Sequence, residues 1–190
     1  MRLFVAIALP EDVKERLAAL QRGLREARWI TAENLHLTLR FLGELDGRQA
    51  GDVDDALSAL RYEAFDLELA GINHFGDGRN LRTLWVGVTD PVPVVKLQAK
   101  IERAIQLAGI EPETRKFKAH VTLARFKKAP GPAFADYLRQ NALFKCRPFT
   151  VGEVILYSSH LAREGSIYRL EARYPLVENR IAASSDFHGP

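Results

Sequence analysis

The chain carries one strand–helix–strand pattern twice, and this duplication limits the folds open to it. The opening apolar run at residues 3–7, followed by Pro10, recurs 81 residues later at 84–88, followed by Pro91. An apolar helical stripe follows each run. A strand beginning His-x-Thr-Leu comes next, at 36–39 in the first copy and 84 residues later at 120–123 in the second. Two matches in the same order at nearly one offset predict an internal repeat and two similar lobes that pack as one unit.

Hydrophobic periodicity and turn residues predict a mixture of strands and helices. One helix opens at Pro10 and carries an apolar stripe as far as Leu24, and another carries a stripe from Val94 towards Gly109. A hairpin turn is expected at 163–165, and the periodicity is lost in a tail after Pro175. The remaining predicted strands are 3–9, 35–42, 66–75, 83–88, 120–125, 149–158 and 167–175, and the remaining predicted helices are 47–60 and 132–140.

The two His-x-Thr motifs place four reactive side chains on strand faces. Residues i and i+2 of a strand project to the same side, so His36 accompanies Thr38, and His120 accompanies Thr122. If the duplicated strands meet across a cleft, two imidazoles and two hydroxyls converge. Near neutral pH one imidazole can activate water while the other protonates a leaving oxygen, and the hydroxyls can donate to phosphate oxygens. The motifs therefore predict phosphoryl transfer at a small anionic centre.

Arg125 and Phe41 hold the same position in the two copies, five residues after each histidine. A guanidinium can bind phosphate through two hydrogen bonds, and an aromatic ring can lie against a base. We therefore predict that Arg125 binds phosphate and that Phe41 contacts an attached nucleobase.

A structural role and metal binding compete with catalysis as roles for the two motif histidines. A histidine alone on a strand is more often a packed or hydrogen-bonded residue, but its recurrence in a duplicated context favours a catalytic role. Metal binding is disfavoured because the spacing is neither H-x-x-x-H nor H-E-x-x-H, and no carboxylate or cysteine adjoins either motif. Trp29 and Trp85 are predicted core residues, and His74 and His160 are predicted surface residues.

Charge and cysteine content constrain the partners. Residues 1–80 carry 10 Lys and Arg against 14 Asp and Glu, whereas residues 81–190 carry 17 against 10. This basic second half predicts electrostatic attraction of a polyanion, although a solvated surface is the common alternative. The single cysteine, Cys146, allows no internal disulfide and suits a reducing cytoplasm, and no apolar run approaches the ~20 residues that span a bilayer. The lysines expected to contact such a polyanion, which the family resemblance given next implies to be RNA, are Lys116, Lys118, Lys127 and Lys128.

These residues resemble the 2H phosphoesterase superfamily, named for two H-x-[ST]-x motifs. Within it they are most similar to the bacterial and archaeal RNA 2',3'-cyclic phosphodiesterases, also called the 2'-5' RNA ligase family. The resemblance runs from Arg2 to about Leu176, and one small departure is Lys118-Ala119, where the family often has His-Pro. The segments that carry it are 2–7, 34–44, 117–125 and 156–158, together with Gly165 and Tyr168.

The resemblance implies an α+β, bilobal, pseudo-symmetric fold in which two antiparallel sheets face a central cleft and helices lie outside. The lobes would be roughly 1–80 and 81–176, with exchanged strands, in a single domain at 1–176 followed by a mobile tail at 177–190. It also implies a cytoplasmic monomer that acts on RNA ends or small cyclic nucleotides without metal or other cofactor.

The implied reaction is hydrolysis of a terminal 2',3'-cyclic phosphate to a 2'-phosphomonoester, with 2'-5' RNA ligation as its reverse. By position, Thr38 and Thr122 would hold phosphate oxygens and Arg125 would bind the phosphate. We expect His36 to protonate the leaving oxygen and His120 to activate water, but the pseudo-symmetry leaves that assignment open. The alternatives are hydrolysis of another cyclic or 2'-5' nucleotide and a non-catalytic module that binds RNA ends.

Overall fold

Ten strands and four helices alternate along the residues that the computed structural model describes, 1–162 and 165–177. The helices are α1 (Glu11–Ala18), α2 (Gly47–Ser58), α3 (Val92–Leu107) and α4 (Ala133–Gln140). The strands are β1 (Arg2–Ala8), β2 (Ala27–Trp29), β3 (His36–Glu44), β4 (Phe65–Leu67), β5 (Leu69–Phe75), β6 (Thr83–Val88), β7 (Val121–Phe126), β8 (Phe149–Val151), β9 (Glu153–Ala162) and β10 (Gly165–Pro175).

One antiparallel sheet joins most of the strands in the order β10-β9-β1-β3-β7-β6-β5, and β2 pairs with β7 beside this path. The strands on either side of the β3–β7 junction form two half-sheets. A single residue pair, Leu37 with Val121, joins β3 to β7. The predicted α+β class with antiparallel sheets is confirmed, and the two expected sheets are halves that touch at this one pair.

The pairing places one strand or more from each half of the sequence in the half-sheet formed mainly by the other half. β5, which precedes residue 80, pairs with β6, and β9 from near the end of the chain pairs with β1. The domain limits 1–176 and the lobe limits 1–80 and 81–176 stay predictions. Most of the predicted tail, residues 178–190, and two residues of the predicted hairpin turn, 163 and 164, lie outside the described residues.

Some element predictions were wrong in their limits. α1 ends at Ala18, and Leu20 and Leu24 are buried from the loop beyond it rather than from a longer helix. Gly23 in that loop has a φ of 80°, a left-handed conformation that a helix does not use. The predicted strands 66–75 and 149–158 are each split in two, because β4 and β8 leave the main sheet and pair with each other. The short strand β2 was not predicted.

The hydrophobic core covers one face of the sheet and leaves the other face to the histidines. Leu37 and Leu39 of β3 are buried in the same cluster as the apolar stripes of α2 and α3. Among the residues that the structure describes, four apolar ones are buried without belonging to that cluster: Phe4, Ala6, Trp85 and Ile155. The register places Ala6 beside Thr38 and Trp85 beside Thr122, so these residues lie on the sheet face that carries the histidines. Within the described part of the chain, no helix has the length and apolar character needed to cross a membrane.

Candidate active site

The pair that joins the half-sheets brings the two motifs together. Leu37 and Val121 are both fully buried in the core, so the residues that flank each of them project from the opposite face. Those residues are His36 and Thr38 in β3, and His120 and Thr122 at β7. In a regular antiparallel pair this register would make the two histidines diagonal neighbours, roughly 7–8 Å apart. All four predicted side chains therefore surround one point on the sheet.

A β-bulge in each copy explains how position five after the histidine reaches the same face. Ala6 pairs with Thr38 but Val5 pairs with Arg40, which leaves Leu39 as an extra residue. In the second copy Trp85 pairs with Thr122 but Leu84 pairs with Ala124, and Leu123 is the extra residue. An extra residue reverses the alternation beyond it.

Burial follows the bulge in both strands. From His36 and from His120 the pattern is half-buried, buried, half-buried, buried, buried, exposed, buried. Phe41 and Arg125 are the exposed members, so each shares the face of its histidine. The structure thus places both residues of the substrate-binding prediction beside the motif residues, and their roles stay predictions.

Each histidine ring is fixed by the carbonyl two residues before it. The distance from His36 Nδ1 to the Asn34 oxygen is 2.7 Å, and the distance from His120 Nδ1 to the Lys118 oxygen is also 2.7 Å. A carbonyl only accepts hydrogen bonds, so Nδ1 carries the proton and Nε2 of the neutral ring has a free lone pair. Within residues 1–162 and 165–177, neither Nε2 atom has a hydrogen-bond partner, nor has the hydroxyl of Thr38 or Thr122. These four groups are available to a ligand.

The carbonyl that holds His36 is itself tied to a distant strand. The Asn34 side-chain amide donates to the Ser166 carbonyl of β10 at 2.8 Å. This bond fixes the short turn at residues 32–34, just before β3, against the C-terminal strand. The orientation of the His36 ring therefore depends on the position of the C-terminal strand β10.

Burial keeps both imidazoles neutral in the free protein. It lowers the pKa of His36 to about 4; the bond to Asn34 opposes the shift, and the charges of Arg125 and His120 add to it. Burial also lowers the pKa of His120, again against its backbone hydrogen bond and with help from the charges of Arg125 and Lys118. Arg125 acts on both rings and therefore lies within electrostatic reach of each. A bound anion would offset this positive charge and raise both pKa values.

Aromatic rings form the wall beside His36. Its ring centroid lies 4.9 Å from that of Phe4 and 5.3 Å from that of Tyr168, which meets it edge-on. Tyr157 stacks on Phe4 at 5.3 Å, and Phe41 approaches Phe4 at 5.8 Å. Phe41 is 53% exposed and presents its ring to the cleft side of this cluster. This wall can bind a planar apolar group.

The wall beside His120 combines aromatic rings with cations. Phe75 meets the His120 ring edge-on at 5.0 Å, and Trp85 lies at 5.7 Å. The Lys118 ammonium sits 4.6 Å from the Trp85 ring centroid. Trp85 is buried as predicted, but it lies beneath the His120 ring on the face of the site and is not part of the main core. Lys118, which the sequence assigned to an RNA-binding patch, has its ammonium above this wall.

An ion pair under the first bulge escaped the sequence analysis. Arg40 is only 7% exposed, and its Nε lies 2.5 Å from Glu102 Oε2 of α3. Its other nitrogens donate to the carbonyl of Phe41 at 2.5 Å and to the carbonyl of Glu111. Arg40 therefore ties the bulge that aims Phe41 to the loop that leads towards His120. The equivalent residue in the second copy is Ala124, so no local repeat signal marked it.

Other candidate residues lie apart from the site. Among the described residues, no three His, Cys, Asp or Glu side chains cluster in the way a metal site requires. His160 is exposed, as predicted, whereas His74 is half-buried with its ring 5.6 Å from Phe134. Cys146 is buried and unpaired.

The fold and the paired motifs define a phosphoesterase of the two-histidine class. The model of the family described as LigT-like phosphoesterase matches residues 7–85 and again residues 86–168. The chain belongs to this family, and the resemblance found in the sequence is confirmed. The boundary between the two matches, at residues 85 and 86, lies close to residue 84, where the second copy of the predicted repeat begins.

Relatives within the family are similar over most of their length. An RNA 2',3'-cyclic phosphodiesterase of Aeropyrum pernix is 33% identical over 160 residues, which are 81% of this chain and 91% of that protein. Escherichia coli LigT, crystallised with 3'-AMP, superimposes with a TM-score of 0.74 at 27% identity and covers 92% of this chain and 97% of its own. A Thermus thermophilus protein of known structure gives a TM-score of 0.76 at 25% identity, with the same coverage.

Proposed function

We propose that this protein hydrolyses the terminal 2',3'-cyclic phosphate of RNA to a 2'-phosphomonoester by acid–base catalysis with His36 and His120. The observation that carries the proposal is the pair of imidazoles on one sheet face, each with Nδ1 bound to a carbonyl and Nε2 free. The names of the curated relatives and the nucleotide bound to Escherichia coli LigT support this substrate class.

The reaction is an in-line displacement at phosphorus. His120 Nε2 takes a proton from water as the water oxygen forms its bond to phosphorus. The bond from phosphorus to the 3' oxygen breaks on the opposite side, and that oxygen takes a proton from His36 Nε2. The Thr38 and Thr122 hydroxyls and the Arg125 guanidinium donate to the non-bridging oxygens, where the negative charge increases.

Substrate binding lets His36 take up from solvent the proton that it must hold as the acid. An imidazole with a pKa of about 4 is neutral at pH 7, whereas a general acid must be protonated. The anionic phosphate neutralises the field of Arg125 and raises the pKa of His36 in the complex. Productive binding therefore includes uptake of one proton, while His120 stays neutral as the base.

The same groups can serve 2'-5' RNA ligation, in which a hydroxyl takes the place of water as the nucleophile. A 5' hydroxyl can replace water beside His120 and attack the cyclic phosphate, which forms a 2'-5' phosphodiester. We also infer that one chain suffices for activity, since each half supplies one histidine, and that the protein works in the cytoplasm without metal.

The decisive assay is conversion of 2',3'-cyclic AMP in the presence of EDTA, with products separated by chromatography. We expect 2'-AMP as the product, and we expect His36→Ala and His120→Ala each to lower kcat/KM by roughly 10²–10⁴-fold. His160→Ala, which changes an exposed histidine outside the site, is the matched control and should retain activity.

Three outcomes contradict the proposal in different ways. Release of 3'-AMP would place the leaving oxygen on the wrong side of the ribose. Turnover only of another cyclic or 2'-5' nucleotide would indicate the alternative substrate class. Binding of cyclic nucleotide without product in every case would indicate an RNA-end binding module.

A further inference from the structure

A second arginine lies directly opposite Arg125 on the neighbouring strand. β2 pairs with β7 so that Arg28 faces Arg125 across the strands, and Thr83 of β6 faces Arg125 from the other side. Directly opposed residues of an antiparallel pair share a face. Arg28 therefore projects from the same face as Arg125, His120 and Thr122, on the side of β7 that also pairs with β3.

This pair of arginines has no counter-charge in the part of the chain that the structure describes. Across residues 1–162 and 165–177, no carboxylate lies within ion-pair distance of Arg28 or Arg125, and both side chains are exposed. Glu26, two residues before Arg28, is a carboxylate close in sequence. Its side-chain oxygen lies beside Gly131 and not within ion-pair distance of Arg28. Like charges placed directly opposite each other destabilise a sheet. Their placement on the cleft face without a carboxylate between them points to a site for anions.

The strand that carries Arg28 is held firmly despite its three residues. The amide of Ile30 donates to the carbonyl of Leu123 at 2.9 Å, and Trp29 packs 6.3 Å from the ring of Tyr137 on α4. These contacts fix the backbone of β2 on the core side. The Cα atom of Arg28 is thereby held opposite that of Arg125.

Two adjacent guanidiniums match two successive phosphates of a nucleic acid strand. Arg125 lies within reach of both imidazoles and serves the reacting phosphate, whereas Arg28 lies beside it on the neighbouring strand β2. The aromatic wall beside His36 lies on the other half-sheet. The terminal nucleoside would therefore lean towards Phe41, and the preceding nucleotide would lie over β7 and β2.

We propose that Arg28 binds the phosphodiester that precedes the terminal cyclic phosphate, and so makes the protein prefer RNA ends over mononucleotides. This inference rests on the proposed function. It assigns Arg28 a role that neither motif of the repeat contains.

The test compares a diadenosine that ends in a 2',3'-cyclic phosphate with the same molecule carrying a neutral methylphosphonate between its nucleosides. Wild-type protein should prefer the charged substrate by roughly tenfold in kcat/KM, as one charge-assisted contact allows. Arg28→Ala should reduce this preference to near unity, and Arg28→Lys should retain part of it. Arg103→Ala removes an equal charge from the outer surface of α3 and should leave the preference intact.

Because the readout is a ratio within each variant, partial loss of folded protein does not alter it. An undiminished preference in Arg28→Ala overturns the inference while leaving the proposed function in place. Failure of the wild-type protein to open 2',3'-cyclic AMP or either diadenosine refutes the proposed function, and the role of Arg28 with it.

Discussion

Strands β3 and β7 show the same order of half-buried, buried and exposed residues from His36 and His120 onward, yet they face different neighbours. His36 lies against Phe4 and Tyr168, and the exposed residue of its strand is Phe41. His120 lies near the ammonium of Lys118, and the exposed residue of its strand is Arg125. The duplication preserved the bulged strand and its ring-fixing carbonyl. The differences at equivalent positions give one half an exposed aromatic ring and the other an exposed guanidinium, which under the proposed function would contact the base and the phosphate.

Burial also differs between the halves. The hydrogen bond that fixes the His36 ring is half-buried, whereas the one that fixes the His120 ring is exposed. Burial lowers the pKa of both rings, to about 4 for His36. The two repeated strands therefore hold their histidine rings in different surroundings. The predictions below separate them, beginning with the largest effect.

The acid and base roles can be separated with a substrate whose bridging 3' oxygen is replaced by sulfur. A thiolate leaves without protonation, since a thiol has a pKa near ~8.5. On the normal substrate His36→Ala should lose roughly 10²–10⁴-fold in kcat/KM, and on the sulfur substrate it should lose less than about tenfold. His120→Ala should lose activity on both. Rescue of His120→Ala instead would exchange the two roles.

The unlike burial of the rings predicts unlike pH dependence of stability. A histidine whose pKa is lowered on folding stabilises the protein above pH ~6.5, and this contribution is lost as the pH falls towards the folded value. For His36, with a pKa of about 4, the loss between pH 7 and pH 4 amounts to at most about 3 kcal/mol.

Urea unfolding of wild type and His36→Gln at pH 7, 5.5 and 4 measures that contribution, because the carboxylates titrate in both proteins. The wild-type protein should lose more unfolding free energy than His36→Gln, and the corresponding difference for His120→Gln should be smaller. Parallel curves for wild type and His36→Gln would show that His36 is not buried as a neutral ring.

Arg125→Ala should lower kcat/KM by roughly 10–100-fold, the range of a charge-assisted contact to phosphate. Arg125→Lys should recover only part, because an ammonium lacks the planar fork. Since the charge of Arg125 lowers the pKa of both histidines, NMR titration of Arg125→Ala should show both pKa values raised. Unchanged histidine pKa values would place Arg125 away from the rings.

Phe41→Ala should have the smallest effect, a rise of about fivefold or more in KM for cyclic nucleotides, because stacking of one base contributes roughly 1–3 kcal/mol. Phe41→Tyr should keep the KM near that of wild type. If KM for 2',3'-cyclic AMP does not change in Phe41→Ala, the base does not rest on this ring.

The sequence predicted the parts of the site that depend on alternation along a strand. His36 shares a face with Thr38 because side chains two apart in a strand always do, and the recurrence 84 residues later marked the partner strand. Strict alternation would place Phe41 and Arg125 on the face opposite the histidines, because each lies five residues after its histidine. The bulges at Leu39 and Leu123 resolve this, and a bulge leaves no local sequence signal in an apolar run.

The parts that sequence reasoning missed depend on distant contacts. β2 has three residues and little strand character, and it exists because β7 offers it a free edge. The Arg40–Glu102 pair joins residues far apart in the chain, and an arginine in a strand gives no sign that it is buried. The extent of the α1 stripe was overestimated because Leu20 and Leu24 are buried by a loop that mimics helical spacing.

The stereochemical course at phosphorus tests most directly whether the two imidazoles act from opposite sides. The substrate is one diastereomer of the adenosine 2',3'-cyclic phosphorothioate, opened by the protein in ¹⁸O-labelled water, and the configuration of the 2'-phosphorothioate product is measured. Attack beside His120 with departure beside His36 predicts inversion. Retention would contradict the account, because it requires an even number of displacements or attack from the side of the leaving oxygen.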